Sequence, residues 1–437
     1  MLSRKPRIII VGGGFAGLRL IRKLAQANAE IILIDRHNYH TFVPLLYQVA
    51  TGFVTPETIA YPFRKYLRSI KNTRFIQAEV QKVNFDAKVV NTKAMDLSYD
   101  YLVLATGSST RFLGVDGAAD YALPMRTLED AIAIKDRLIG NFERASLCQD
   151  IERRRQLLTI AIVGGGATGV ELAGSIIELV RDTLAQDYPN ISTREVRVIL
   201  IHSGTRLLAD YPQDLSDYTS KQLRRKGVKT HFQSRVRKVM PGEIILDDGT
   251  VLEAAAIIWT AGVEADYPQP KNQIPTAKKD KICVTANLQL PGYPEVYAIG
   301  DVALVKQNGE PLLGIAPEAL QQGTAVAHNL RRQLREMPPQ PFKYFNKGKA
   351  AIIARNNGVA YLFGKIPLKG FAAWLMWFVI HLYYLPGIAN RFVALGRRLR
   401  DYLTKERDLR QLFDYQNIKQ SKLISMSKNN SVMASKK

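Results

Sequence analysis

Two stretches of the chain follow one hydrophobic pattern. Residues 8–24 read IIIVGGGFAGLRLIRKL and residues 160–174 read IAIVGGGATGVELAG. In each, an unbroken apolar, β-branched run gives way to three glycines, and apolar positions then recur at helical spacing. Such a run, bounded by glycine, marks a strand covered on both faces, and the recurrence beyond it marks a helix. Each stretch therefore predicts a strand, a tight turn and a helix start. Further buried strands are expected at 31–34, 101–104, 196–201 and 256–259, and a charged helix with a connector at 126–155. The segment 44–52, PLLYQVATG, reads as a loop with a few apolar anchors. Pro268, Pro270 and Pro275 among lysines mark a crossing loop. Strands alternating with helical stretches place the chain in the α/β class, with parallel sheets.

The two glycine turns point to the same chemistry. Val11, Gly12, Gly13, Gly14 and Gly17 correspond to Val163, Gly164, Gly165, Gly166 and Gly169. A pyrophosphate resting on a helix N-terminus needs such turns, because a Cβ would hold the backbone away from it. One copy alone is weak evidence, with a purely structural turn as its alternative; two copies in one chain imply two dinucleotides. The strand at 31–34 leads into Asp35, about 20 residues past the first glycines, where a carboxylate can accept from a ribose 2′-hydroxyl. Capping the next turn is its alternative role. In the second copy the matching strand ends in His202, followed by Ser203 and Arg206, either of which could bond a phosphate. No carboxylate stands there to repel a 2′-phosphate, so NADH and NADPH both stay open.

A chain of 437 residues exceeds what one core usually organises, so two or three domains are expected. The formal charge of +22 suits nucleic acid, an anionic membrane surface or acidic small molecules. Cys148 and Cys283 are far apart and lack CxxC spacing, which excludes a disulfide framework and implies a reducing compartment. No metal site is expected. The opening MLSRKP runs at once into the first strand, so no apolar leader is expected.

Taken with YLVLATG at 101–107 and YAIGD at 297–301, the fingerprints resemble the two-dinucleotide flavoproteins of the disulfide-reductase superfamily. That resemblance implies two Rossmann-like domains. FAD would be held by Gly12, Gly13, Gly14, Gly17, Asp35, Thr106, Gly107, Gly300 and Asp301. NAD(P)H would be held by Gly164, Gly165, Gly166, Gly169, His202, Arg206 and Gly262, the last in the AIIWTAG turn. Residues 1–118 and 264–338 would form the flavin domain, and 119–263 the nicotinamide domain. The superfamily's redox-active cysteine pair is missing, so disulfide reduction is not expected.

Residues 316–330, APEALQQGTAVAHNL, read as a helix with Pro317 tolerated in its first turn and Glu318 suited to its dipole. Here the chain resembles the type II NAD(P)H:quinone oxidoreductases, whose quinone pocket is lined by an AQxAxQ-like element. This sequence has Ala316, Pro317, Glu318, Ala319, Leu320, Gln321 and Gln322, with proline in place of the first glutamine. The resemblance makes Gln321 and Gln322 quinone-side residues. Glu171 has two readings. It complements its helix dipole, worth about 0.3–1 kcal/mol, or it is aimed at the junction of nicotinamide, flavin and acceptor and assists proton delivery.

Residues 339–415 carry the other half of this resemblance, a membrane-anchoring C-terminal region. In GFAAWLMWFVIHLYYL, 370–385, Trp374, Trp377, Phe378 and His381 share one helical face, with His381 a polar member of that face rather than a metal ligand. Pro386 and Gly387 end the stretch too early for a membrane span. Ile388, Phe392, Leu395, Leu399, Tyr402 and Leu403 then form a stripe flanked by basic residues, the pattern of an interfacial helix. Fully burying an aromatic contributes about 1.5–3 kcal/mol and each basic residue near anionic lipid about 1 kcal/mol, enough for peripheral attachment. Packing on the protein's own core or on a second subunit is the alternative. From 416 a Ser/Lys/Asn-rich tail reads as disordered.

The resulting expectation is a peripheral (monotopic) flavoenzyme on the cytoplasmic face of a membrane, working in a respiratory chain. It would pass a hydride from NAD(P)H to FAD and two electrons to a quinone without proton pumping. Nucleic acid is not an expected partner, and a homodimer is open. The competing readings are reduction of a naphthoquinone precursor, sulfide:quinone oxidoreduction and a nucleic-acid-bound flavin sensor.

Overall fold

The computed structural model describes residues 4–270, 276 and 280–404; the expected disordered tail lies outside them. The chain forms two compact units. The first takes residues up to Phe42, Ala60–Arg111 and Gly262–Gly348. Its centre is a six-stranded sheet in the order Gln289–Leu290, Tyr293–Ala298, Tyr101–Leu104, Arg7–Val11, Glu30–Asp35, Thr73–Gln77. Every pairing is parallel except that of the two-residue edge strand Gln289–Leu290. Residues 8–10 and 31–34 have no exposed surface, as a parallel strand between two layers requires. The fingerprint helix Phe15–Leu24 packs against the helix Ala316–Gln333. Gly323 permits this, because a Cβ there would strike the carbonyl of Ala16, and Arg19 Nε donates to Thr324 Oγ1 at 3.0 Å.

The second unit takes Val43–Ile59, Phe112–Ala261 and Lys349 onward. Its five-stranded parallel sheet runs Leu123–Pro124, Ala256–Trp259, Thr159–Val163, Arg197–Ile201, Val228–His231, so a fingerprint strand is again flanked on both sides. The helix after that strand, Ala167–Leu179, is buried at every position from 169 to 179 and continues into a π-helical turn, Val180–Leu184. What covers it is a three-stranded antiparallel sheet, Lys349–Ala354, Asn357–Leu362 and Ile366–Gly370. Gly174 lets helix and strand meet, since a Cβ there would collide with the Ile353 carbonyl. An edge strand presents unpaired N–H groups, and this helix supplies acceptors for them. Glu171 accepts from Ile352 N–H at 3.2 Å, and Glu178 accepts from Arg355 N–H and from Lys226 Nζ at 3.3 Å. The region set apart by sequence at 339–415 thus clusters from Lys349 onward with the second unit.

Two local expectations are corrected. The segment at 44–52 is not a loop. A 3₁₀ turn, Val43–Leu45, leads into a short helix, Leu46–Ala50, all of whose side chains are buried. Five residues are too few for a helical period to show, and the polar Gln48 is accommodated by donating to Tyr47 Oη at 3.0 Å.

The second correction concerns the aromatic helix Phe371–Tyr384. Trp377 is 1% exposed and Trp374 8%, because that face packs on the three-stranded sheet. The face left in solvent is the other one, with Phe371, Leu375, Val379 and Tyr383, the last 67% exposed. A helix apolar all round carries no record of which side its partner takes. The next helix, Ile388–Thr404, leaves Ile388 (72%), Phe392 (69%) and Leu395 exposed, and Asn390 Nδ2 ties it to the Thr58 carbonyl at 3.1 Å. The side chains of Leu399, Tyr402 and Leu403 lie outside the described set. Among the described residues no helix is long and apolar enough to cross a membrane.

Candidate dinucleotide sites

In the first unit, four adjacent parallel strands end in the residues singled out from sequence. At Gly12 φ is +102°, and a Cβ would strike the Ala105 carbonyl. Asp35 holds the turn from below. Its Oδ2 accepts Gly13 N–H at 2.7 Å and its Oδ1 accepts His37 N–H at 2.9 Å. Burial raises its pKa above the usual carboxylate value, and these two bonds work against the rise.

Two residues that sequence reasoning missed complete the turn. His40, buried and pushed down to about 4 by loss of solvent, is neutral at pH 7 and bonds the Gly13 carbonyl through Nδ1 at 3.0 Å. The Phe63 ring lies where a Cβ on Gly13 would go. Neither residue carries a motif signal, because each acts through position alone. The helix start at Gly14 has no side-chain cap, so the first-turn N–H groups suit an anion.

The neighbouring strand ends bring in the remaining residues. Thr106 Oγ1 is buried without a partner, and Gly107 has φ +81°. Asp301 Oδ2 accepts from Ser108 Oγ at 3.0 Å. Gly300 has φ +78° and donates its N–H to Gln322 Oε1 at 2.6 Å. An uncapped helix start, a turn closed to any Cβ and a buried hydroxyl lacking a partner fit a bound dinucleotide. Gln322 is 3% exposed and serves the Gly300 turn. Gln321 clasps Phe345, donating to its carbonyl and accepting its N–H, both at 2.9 Å. Both glutamine amides expected on the quinone side are therefore bonded to backbone. Glu318 accepts from the N–H groups of Leu313, Gly314 and Ile315 at 3.2, 2.7 and 3.3 Å, fixing the approach to the helix. Burial raises its pKa, and those bonds oppose the rise.

The second unit repeats the turn. Gly164 has φ +121°, with Thr260 Oγ1 2.6 Å from where its Cβ would stand. Thr260 donates to the carbonyls of Val163 and Gly164 at 2.9 and 3.2 Å. Thr260 was absent from the sequence candidates, although the TAG turn it belongs to parallels the ATG turn of Thr106. In both copies the last glycine, Gly17 or Gly169, faces the carbonyl of the first so closely that no side chain fits. Gly166, like Gly14, starts its helix without a side-chain cap.

His202 stands at the end of the strand beside the fingerprint strand, as Asp35 does, and its Nδ1 accepts Gly165 N–H at 3.2 Å. Its Nε2 is buried and senses the Arg206 carbonyl without a hydrogen bond of ordinary geometry; burial lowers the ring's pKa. The Arg206 guanidinium is taken up locally, donating to the carbonyls of Tyr211 (3.1 Å) and Ala209 (2.6 Å) and to Gln213 Oε1 (3.2 Å). Gly262, with φ +81°, falls in the first unit, where its carbonyl accepts from Arg111 N–H at 3.3 Å.

Glu171 is 9% exposed, and burial pushes its pKa up to about 8. The Ile352 N–H and the nearby Trp377 indole act in the opposite direction, the indole without a hydrogen bond of ordinary geometry. Trp377 stacks on His381 with ring centroids 3.7 Å apart and meets Tyr47 edge-on at 6.2 Å. His381 Nδ1 bonds the Trp377 carbonyl at 2.7 Å, and burial pushes its pKa down to about 4. Among the described residues no group of three or more His, Cys, Asp or Glu side chains could hold a metal ion.

Residues 6–323 match the pyridine nucleotide-disulphide oxidoreductase family. The type II NADH:quinone oxidoreductase Ndh of Mycobacterium tuberculosis is 34% identical over 436 residues, covering 96% of this chain and 93% of that protein. NdhA of the same organism, also named a type II NADH:quinone oxidoreductase, is 35% identical over 408 residues, covering 90% and 86%. The structure of NDH2 from Plasmodium falciparum in complex with NADH has a TM-score of 0.85 at 20% identity, over 94% of this chain and 100% of that one. That last likeness is one of fold.

Proposed function

Because the chain belongs to the pyridine nucleotide-disulphide oxidoreductases, and within them to the type II NADH:quinone oxidoreductases, we propose that it is a membrane-surface flavoenzyme that oxidises NADH, and NADPH where the second site admits it, with a quinone as acceptor. The observation that carries this reading is the duplicated turn, with an uncapped helix start at Gly14 and again at Gly166. When bound, FAD supplies hydride acceptance from the nicotinamide and two-electron transfer to the quinone.

The protein's own part is placement. Gly12, Gly13, Gly14 and Gly17 receive the flavin nucleotide's pyrophosphate, Asp35 its ribose, and Thr106, Gly107, Gly300 and Asp301 the rest of that ligand. Gly164, Gly165, Gly166 and Gly169 do the same for the nicotinamide nucleotide. Gln322 is a positioning residue, since its carbonyl fixes Gly300 N–H and so the turn that carries Asp301. Glu171 is the proton-handling group. With its pKa near 8 it holds a proton at neutral pH and gives it up as pH rises, which suits an acceptor that takes up protons on becoming a quinol.

The exposed apolar side chains of Phe371, Leu375, Val379 and Tyr383 on one helix and of Ile388 and Phe392 on the next support peripheral attachment to a bilayer. The cytoplasmic face, the respiratory role and the lack of proton pumping belong to the same proposal. Sulfide chemistry is not favoured, because Cys148 and Cys283 fall one in each unit and neither adjoins a fingerprint.

Anaerobic stopped-flow mixing of the flavin-loaded protein with NADH tests the reading. Rapid bleaching of the flavin, reversed by a soluble quinone analogue, is the expected result. A flavin that stays oxidised would overturn it.

A further inference from the structure

We infer that His202 makes the second fingerprint indifferent to a 2′-phosphate, so that the protein uses NADPH and NADH at near parity. The inference rests on the reading of the second unit as the nicotinamide-nucleotide site.

The chain contains its own control. Asp35 and His202 end equivalent strands, each hydrogen-bonded to the fingerprint strand, and each accepts the N–H of the middle glycine, Gly13 or Gly165, at 2.7 and 3.2 Å. The turn therefore needs an acceptor at that place, and two chemistries supply it. Asp35 brings a negative charge, which welcomes ribose hydroxyls and repels a phosphate.

His202 brings none. To accept from Gly165, its Nδ1 must be unprotonated; an imidazolium would set N–H against N–H. The ring is thus held neutral by the backbone bond itself, with its proton on Nε2. Among the described residues no cation is hydrogen-bonded at that place either. Arg206, the nearest arginine along the chain, keeps its charge but is tied back to its own loop by bonds to Tyr211, Ala209 and Gln213. The adjoining strand ends in His231, whose carbonyl accepts His202 N–H at 2.8 Å. The charges that reach His231, Lys229 and Asp248, are opposite in sign. A 2′-phosphate thus meets neither the repulsion that enforces NADH nor the clamp that enforces NADPH, and parity follows.

The test uses the flavin-loaded full chain with two readouts. One is kcat/KM for NADH and NADPH with a soluble quinone analogue; the other is calorimetric binding of 5′-AMP and 2′,5′-ADP. His202→Asp copies the Asp35 arrangement, and His202→Asn keeps a neutral acceptor for Gly165. The wild type should favour neither nucleotide by more than about tenfold and should bind both adenosine phosphates. H202D should favour NADH by about a hundredfold and lose 2′,5′-ADP, while H202N keeps the wild-type ratio. The inference falls if the wild type already prefers one nucleotide by about a hundredfold, if H202D leaves the ratio unchanged, or if H202N moves it as far as H202D does. If neither nucleotide is oxidised and neither adenosine phosphate binds, the reading of the second unit falls, and this inference with it.

Discussion

Replacing Glu171 with glutamine should make the protein's thermal stability less sensitive to pH. The Glu171 carboxyl titrates near 8 in the folded chain against an ordinary 4.5, because burial penalises its charge more than the Ile352 N–H relieves it. Between those values the folded chain holds a proton that the unfolded chain has released. Stability from this group is therefore fully present below about 4.5 and is lost as pH rises through about 8. The slope for one proton is about 1.4 kcal/mol per pH unit, so two units within that window cost roughly 2–3 kcal/mol. Glu171→Gln removes the ionisation but keeps a carbonyl that can accept from Ile352. Melting curves of the flavin-loaded protein should nearly coincide for the two forms at acidic pH. In mildly alkaline buffer the variant should melt several degrees higher, at roughly 2–4 °C per kcal/mol. Parallel profiles across the whole range would refute the reasoning, since they would mean that Glu171 is ionised throughout.

Three further outcomes are expected. Gly174→Ala should destabilise the protein by at least about 2 kcal/mol, although alanine is the better helix former by about 1 kcal/mol; a raised Tm would disprove the close approach to Ile353. Gln322→Ala should release the Gly300 N–H and lower flavin content on gel filtration while the KM for quinone holds; the reverse pattern would make Gln322 a quinone contact. The pair Ile388→Ser and Phe392→Ser should weaken binding to anionic vesicles by at least about tenfold, from about 1.5–3 kcal/mol per apolar side chain, with turnover on a soluble quinone analogue unchanged. Undiminished vesicle binding would place the attachment elsewhere.

The parts of the fold that sequence made legible are those where one physical demand acts alone. A strand covered on both faces must be wholly apolar, and a turn under a pyrophosphate must lack Cβ atoms. Residues 8–10, 160–163 and their glycines met both demands twice, and they occupy matching places in the two sheets. Legibility failed where a residue answers to a tertiary neighbour. Adjacency put Arg206 beside a phosphate, but it could not show that part of the guanidinium bonds the Tyr211 and Ala209 carbonyls of its own loop. Gln321 and Gln322 carry their motif's letters, but backbone groups of Phe345 and Gly300 claim their amides. The aromatic helix could not show its inward face, because apolar side chains cover both sides, and only the sheet beginning at Lys349 decides between them.

That late sheet also sets the order in which the protein can be made. The ribosome releases the helix Ala167–Leu179 long before the strand Lys349–Ala354 that shields it, and Ile352 follows Glu171 by 181 positions. Throughout that interval the nascent chain carries a greasy, uncovered helix, an invitation to chaperones and to misassembly. A message cut short before Lys349 would yield a chain with this helix unsheltered, matter for proteolysis rather than a shorter working enzyme.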